Sequence, residues 1–194
     1  MKKQISGVLF LLLLSVCVSA QTTDKAVEKI RSVYTSVAEK AKLAEADPEH
    51  GQLDELFLNE LVVNKLDHQW RAVGRHVLTY KFFYKVMAGD SEGHMYPDQL
   101  VMVRVIKQVS NRTYTEEYLY SDKGALIFYF QRAENDDQTP AERRVYFSGV
   151  KAIRLVEDAK TRDRLSAKDL GVVKEIAGES AKIKGVFSQS LKLY

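Results

Sequence analysis

Four short β-rich runs, at residues 113–120, 125–131, 142–147 and 150–155, follow one another with only turns or a polar loop between them. Asp122, Lys123 and Gly124 separate the first two, and glycine tolerates the positive φ that a tight hairpin needs. Ser148 and Gly149 mark a second turn of the same kind. Upstream, residues 76–87 alternate, with Leu78, Tyr80, Phe82, Tyr84 and Val86 on one side and Thr79, Lys81 and Lys85 on the other. Residues 99–109 alternate again, placing Val101, Val103, Val105 and Val109 opposite Arg104 and Gln108. No helix interrupts this series, and parallel pairs would need long crossovers. The pattern predicts an antiparallel meander of about five or six strands.

Helices are expected on either side of the sheet region. Val27, Ile30, Tyr34, Val37, Ala41 and Ala44 recur at spacings of three and four, an apolar stripe within residues 21–47 that Thr23 or Asp24 caps and Asp47 and Pro48 end. Its small alanines favour docking on a sheet over a free coiled coil. Residues 51–66 are ambiguous, since Leu53, Leu56 and Phe57 fit a helical turn and residues 61–63 a strand. Residues 133–141 read as a polar loop and residues 157–164 as a charged linker. Ser166 and Asp169 then resemble a capping box, and Leu170, Val173, Ile176, Ile183 and Phe187 give a helix over 165–190. Gly171, Gly178 and Gly185 recur every seven residues along one side of it. They mark either a close-approach face or a marginal helix.

The first 20 residues have the form of an export signal. Lys2 and Lys3 precede an apolar run, residues 8–18, and small residues Ser19 and Ala20 offer a cleavage site. The run is short for a membrane span, which needs about 20 apolar residues. Cys17 raises lipidation, but Val16 before it fits that signal poorly. Cleavage before Gln21 leaves a single α+β domain over residues 21–194 without cysteine, hence without a disulfide, thiol nucleophile or thiolate metal site. The expected location is periplasmic or secreted, with no membrane span after cleavage. Removing Lys2 and Lys3 from the 29 basic residues leaves 27 against 26 acidic ones. Such a balance does not point to nucleic acid or anionic membrane.

Motifs for chemistry are missing from the sequence. His50, His68, His76 and His94 show no metal-ligand spacing, and the acidic stretches 90–92 and 134–137 lack a calcium-loop pattern. No nucleophile elbow or phosphate-cradling glycine loop occurs. No metal or cofactor is expected. Glu116 and Glu117 are adjacent, so on a strand they face opposite sides, each within reach of Arg143 or Arg144 across the sheet. Tyr114, Tyr118 and Tyr120 share a face with Glu116, which makes one strand face aromatic with a charge inside it. Such a face is either a partner surface or a set of cross-strand pairs that fix register. Trp70, Arg71, Arg75 and His76 form a second candidate surface, because Trp and Arg commonly anchor interfaces.

The succession Glu116, Tyr118, Tyr120, a Lys123 and Gly124 turn, Leu126, Phe128, Phe130, then Glu142, Arg143, Tyr146 and Phe147 resembles a group of small exported bacterial proteins of unassigned function. The resemblance extends over residues 25–155, implies the helix-and-meander architecture and carries no active site. The leading expectation is a non-catalytic exported module that binds a protein, peptide or glycan in the cell envelope. Its rival is a small-ligand or hydrolytic pocket lined by Tyr, with Glu116 or His76 carrying a proton.

Overall fold

In the computed structural model, residues 4–46, 56–69, 74, 76–85, 99–135 and 138–193 are described. The elements are α1 (Gln4–Ala46), β1 (Phe57–Val63), β2 (His76–Lys85), β3 (Gln99–Val109), β4 (Arg112–Tyr120), β5 (Leu126–Asn135), β6 (Gln138–Ser148), β7 (Lys151–Glu157), β8 (Lys160–Arg162) and α2 (Ala167–Ser190), closed by a 3₁₀ turn at Leu191–Leu193. All eight strands form one antiparallel sheet in chain order, a meander as expected but longer than five or six strands.

The two additions have a common cause. β1 pairs with β2 from Phe57↔Tyr84 to Val63↔Leu78, and β8 pairs with β7 through Glu157↔Lys160. Both are edge strands, where only one neighbour constrains the pattern, so alternation is weak. β8 is three residues long and charged, and Asp158 turns the chain into it with φ +51°. The expected polar loop at 133–141 is largely strand as well, since β5 runs to Asn135 and β6 starts at Gln138. The expected cap at Thr23 or Asp24 is also corrected, because α1 is continuous from Gln4 through those residues.

The turns follow their glycines. Gly124 takes φ +70° and donates its N–H to the Ser121 carbonyl at 2.7 Å, while Gly149 takes φ +59° between Ser148 and Lys151. One residue in each of β3, β5 and β7 is skipped by the pairing: Val101, Ile127 and Ile153. Each skip shifts alternation by one, which puts Leu100 on the face of Val103 and corrects the expectation that Val101 lies there. Skipped residues of this kind bend and twist a strand.

Both faces of the sheet are buried. On one, Val27, Ile30, Ala41 and Ala44 of α1 pack with Phe83, Met102, Leu119, Phe128 and Tyr146, flanked by Tyr34 and Val37. On the other, Val173, Ile176, Ile183 and Phe187 of α2 pack with Phe82, Tyr84, Val103, Tyr118, Tyr120, Tyr129, Val145 and Leu155. Each large side chain buried this way contributes about 1.5–3 kcal/mol. Leu170, expected in the α2 stripe, is mostly exposed. Among the described residues, no helix is long and apolar enough to cross a membrane.

Candidate functional site

Register turns the strand residues of the α2 face into rows. Phe82, Val103, Tyr118, Tyr129, Val145 and Leu155 are successive cross-strand partners and make an apolar row beneath α2. Two residues along each strand lies the next row: Tyr80, Val105, Glu116, Gln131, Arg143 and Glu157. A third row holds Leu78, Lys107, Tyr114, Ala133 and Ala141. The face therefore changes within two rows from an aromatic core to a polar ladder.

Tyr118 and Tyr120 belong to the core. They are 1 % and 4 % exposed, so a partner reaches them only if α2 leaves. The Tyr118 ring stands edge-on to Tyr129 at 5.0 Å, the register-fixing arrangement considered from the sequence. Tyr120 shares a hydrogen bond with Ser180 Oγ of α2 at 3.0 Å, and burial pushes its phenol up to about 12 despite that bond. Burial, and then the neighbouring Glu116 carboxylate, holds the Tyr118 phenol far above its ordinary value.

Glu116 sits at the boundary, 6 % exposed, with both oxygens engaged. Tyr118 Oη donates to its Oε2 at 2.6 Å and Lys107 Nζ to its Oε1 at 2.8 Å. Glu117 faces the opposite way, as alternation requires, and binds Arg104 and Tyr34 on the α1 side. The arginines considered as partners are employed elsewhere. Arg143 pairs with Glu157 at 2.7 Å, and Arg144 with Glu142. Arg104 and Lys107 win because β3 pairs with β4, placing Arg104 opposite Glu117 and Lys107 diagonal to Glu116, whereas β6 lies two strands away.

Beyond Glu116 the ladder opens. Gln131, Arg143, Glu142, Glu157 and Asp158 surround the directly paired Ala133 and Ala141, and the two short side chains leave a trough of about 300 Å³. Arg143 Nε donates to Glu157 Oε1 at 2.9 Å, which orients the guanidinium along the row. Tyr114, half-buried, stands next to Ala133 in the third row. His76 opens β2 opposite Val109, one row further out, and its carbonyl accepts from Asn64 Nδ2 at 2.6 Å. Trp70, Arg71 and Arg75 lie outside the described residues.

Of the residues singled out from the sequence, the structure places Glu116 and Tyr114 in the rows beside the trough, as strand partners of Gln131 and Ala133, and buries Tyr118 and Tyr120 under α2. Gln131, Ala133, Ala141 and Glu157 were missed. Their signal is same-face parity on three successive strands, β5 to β7, which becomes visible only once register is known. Among the described residues, no group of three or more His, Cys, Asp or Glu side chains converges as a metal site.

These features define an α+β protein in which an eight-stranded antiparallel meander carries a helix on each face and a polar ladder beside the second helix. No protein-family model, curated protein or solved structure matches the chain.

Proposed function

We propose that this protein is an exported, non-catalytic binding module that receives a peptide or glycan segment of the cell envelope along the ladder and trough. The observation that supports this reading is the row Glu116, Gln131, Arg143 and Glu157 ending on the Ala133 and Ala141 floor. An amide, a guanidinium and carboxylates in a line match the alternating donors and acceptors of an extended backbone or a sugar chain. Tyr114 adds a ring at its margin. The export half of the reading rests on the leader-like first 20 residues.

The hydrolytic alternative draws on the buried Glu116 carboxylate. Its two oxygens are already taken by Tyr118 and Lys107, so accepting a substrate proton requires breaking a charge-assisted bond. Binding without chemistry is the simpler use of this arrangement.

The test is retention of envelope-derived fractions, a glycan pool and a peptide pool, on immobilised protein. One pool should be enriched by the native protein and lost with Ala133→Phe, which fills the trough from an open strand position. Equal retention by native and filled protein, or no retention from either pool, would sink the reading.

A further inference from the structure

A second cavity, about 350 Å³, lies at the far end of the α2 face from the ladder. Gln99 and Leu100 of β3, residues 122–124 of the β4–β5 turn, and Lys184, Phe187, Ser188 and Leu191 line it. The last four recur at i, i+3, i+4 and i+7, so one side of α2 and its 3₁₀ extension forms a wall. Leu100, Phe187 and Leu191 make that wall and the floor apolar.

Five of the nine lining residues, Gln99, Asp122, Lys123, Lys184 and Ser188, carry polar side chains. Lys184 Nζ donates to the Gly124 carbonyl at 2.7 Å and stands 5.6 Å from the centre of the Tyr120 ring, so its ammonium is held in place at the rim. It meets no carboxylate among the described residues. Lys123, in the turn, is exposed and enters no ion pair among the described residues. Asp122 beside it is the one opposing charge in the lining. Two ammonium groups against one carboxylate leave a single positive charge over an apolar floor. Helix C-termini disfavour anions, but that effect falls off within the last turn, and Lys184 precedes it.

We infer that this cavity binds a small amphipathic monocarboxylate, its head between Lys184 and Lys123 and its apolar body against Leu100, Phe187 and Leu191. The volume is at the lower end of small-molecule sites, which span about 300–1,000 Å³. A body of one aromatic ring or a short branched chain suits it. Phosphate, which has no apolar part, does not use the floor. The inference is independent of the ladder, since the two sites share no residue.

The experiment is a titration of isotope-labelled protein with hydrocinnamate, following the amide signals of Gly124 and Ser188. Those signals should move saturably, while hydrocinnamyl alcohol binds at least about tenfold more weakly and inorganic phosphate leaves them in place. Lys184→Met should weaken hydrocinnamate about tenfold. Because that change also removes the bond to Gly124, Ser188→Phe provides a second arm, filling the cavity with both lysines intact and abolishing binding. Equal binding of acid and alcohol, movement with phosphate alone, persistence in Ser188→Phe, or no shift at about 20 mM hydrocinnamate would each overturn the inference.

Discussion

At the scale of single residues, the buried charges on the α1 side form one connected network. Glu117 accepts from Tyr34 Oη and from Arg104 Nε at 2.7 Å, and Arg104 Nη1 donates to Glu45 Oε1 of α1 at 2.6 Å. Lys81 Nζ joins Glu45 at 3.2 Å. This network ties the helix to three strands, β2, β3 and β4. Arg104→Met leaves the Glu117 carboxylate buried without its cation and should cost about 3–5 kcal/mol by denaturant titration. Adding Glu117→Leu should restore much of that loss, because the stranded charge goes with it; a double variant no better than the single would show that the pair itself contributes the stability. The heptad glycines give the opposite sign. A Cβ at Gly171, Gly178 or Gly185 meets nothing within 4 Å, so they are not a close-approach face. Gly178→Ala should stabilise by about 0.4–1 kcal/mol, read as a higher midpoint at unchanged slope.

At the scale of elements, α2 is fastened at its start by carboxylates. Ser166 N–H donates to Asp169 Oδ2 at 2.9 Å and Asp169 N–H to Ser166 Oγ at 3.2 Å, the reciprocal box foreseen from the sequence. Arg162 of β8 meets Asp169 at 3.2 Å, and Arg154 of β7 holds Asp163 through bonds of 2.6 and 2.7 Å while reaching Asp24 of α1 at 2.8 Å. The Ser166 backbone and hydroxyl hold the Asp169 carboxyl below its ordinary value, Arg154 does the same for Asp163, and Arg162 and Arg143 for Glu157. A carboxylate so depressed adds stability above its unfolded pKa, which is lost as pH falls through the folded value. Below about pH 4, therefore, amide exchange in the first turn of α2 should rise before exchange in β3 and β4. Simultaneous exposure of helix and sheet would show that these pairs do not set the order of opening.

At the scale of the whole molecule, four phenols report on the integrity of both layers. Burial first, and for three of them a nearby Glu carboxylate next, raises Tyr34, Tyr118, Tyr120 and Tyr129, with Tyr120 pushed up to about 12. The folded state keeps these protons, so their contribution is complete below the ordinary phenol value near 10 and is lost as pH rises through the folded values. In an alkaline ultraviolet titration these four should ionise together with the loss of near-ultraviolet dichroism, above the ordinary phenol value near 10. A single step near pH 10 with structure retained would contradict the packing of α2 on the sheet. The export reading has its own check at this scale: the intact mass of secreted protein should match a chain beginning at Gln21, without lipid.

Local rules made much of the architecture legible. Gly124 and Gly149 announce their turns because a tight hairpin there needs positive φ, and the Val27 to Ala44 stripe and the Ser166 box depend on contacts within a few residues. Parity likewise sends Glu116 and Glu117 to opposite faces. Tertiary structure alone decided that α2 covers Tyr118 and Tyr120, that Lys107 and not Arg143 answers Glu116, and that charged residues 160–162 pair as an edge strand. It also decided the ladder, since Glu116, Gln131, Arg143 and Glu157 align only through three successive registers, each set by turn length and by skipped residues elsewhere in the strands. Propensity acts over neighbours along the chain. Burial and register depend on which distant segment arrives to cover a face, and that is settled by the collapse of the whole sheet between its two helices.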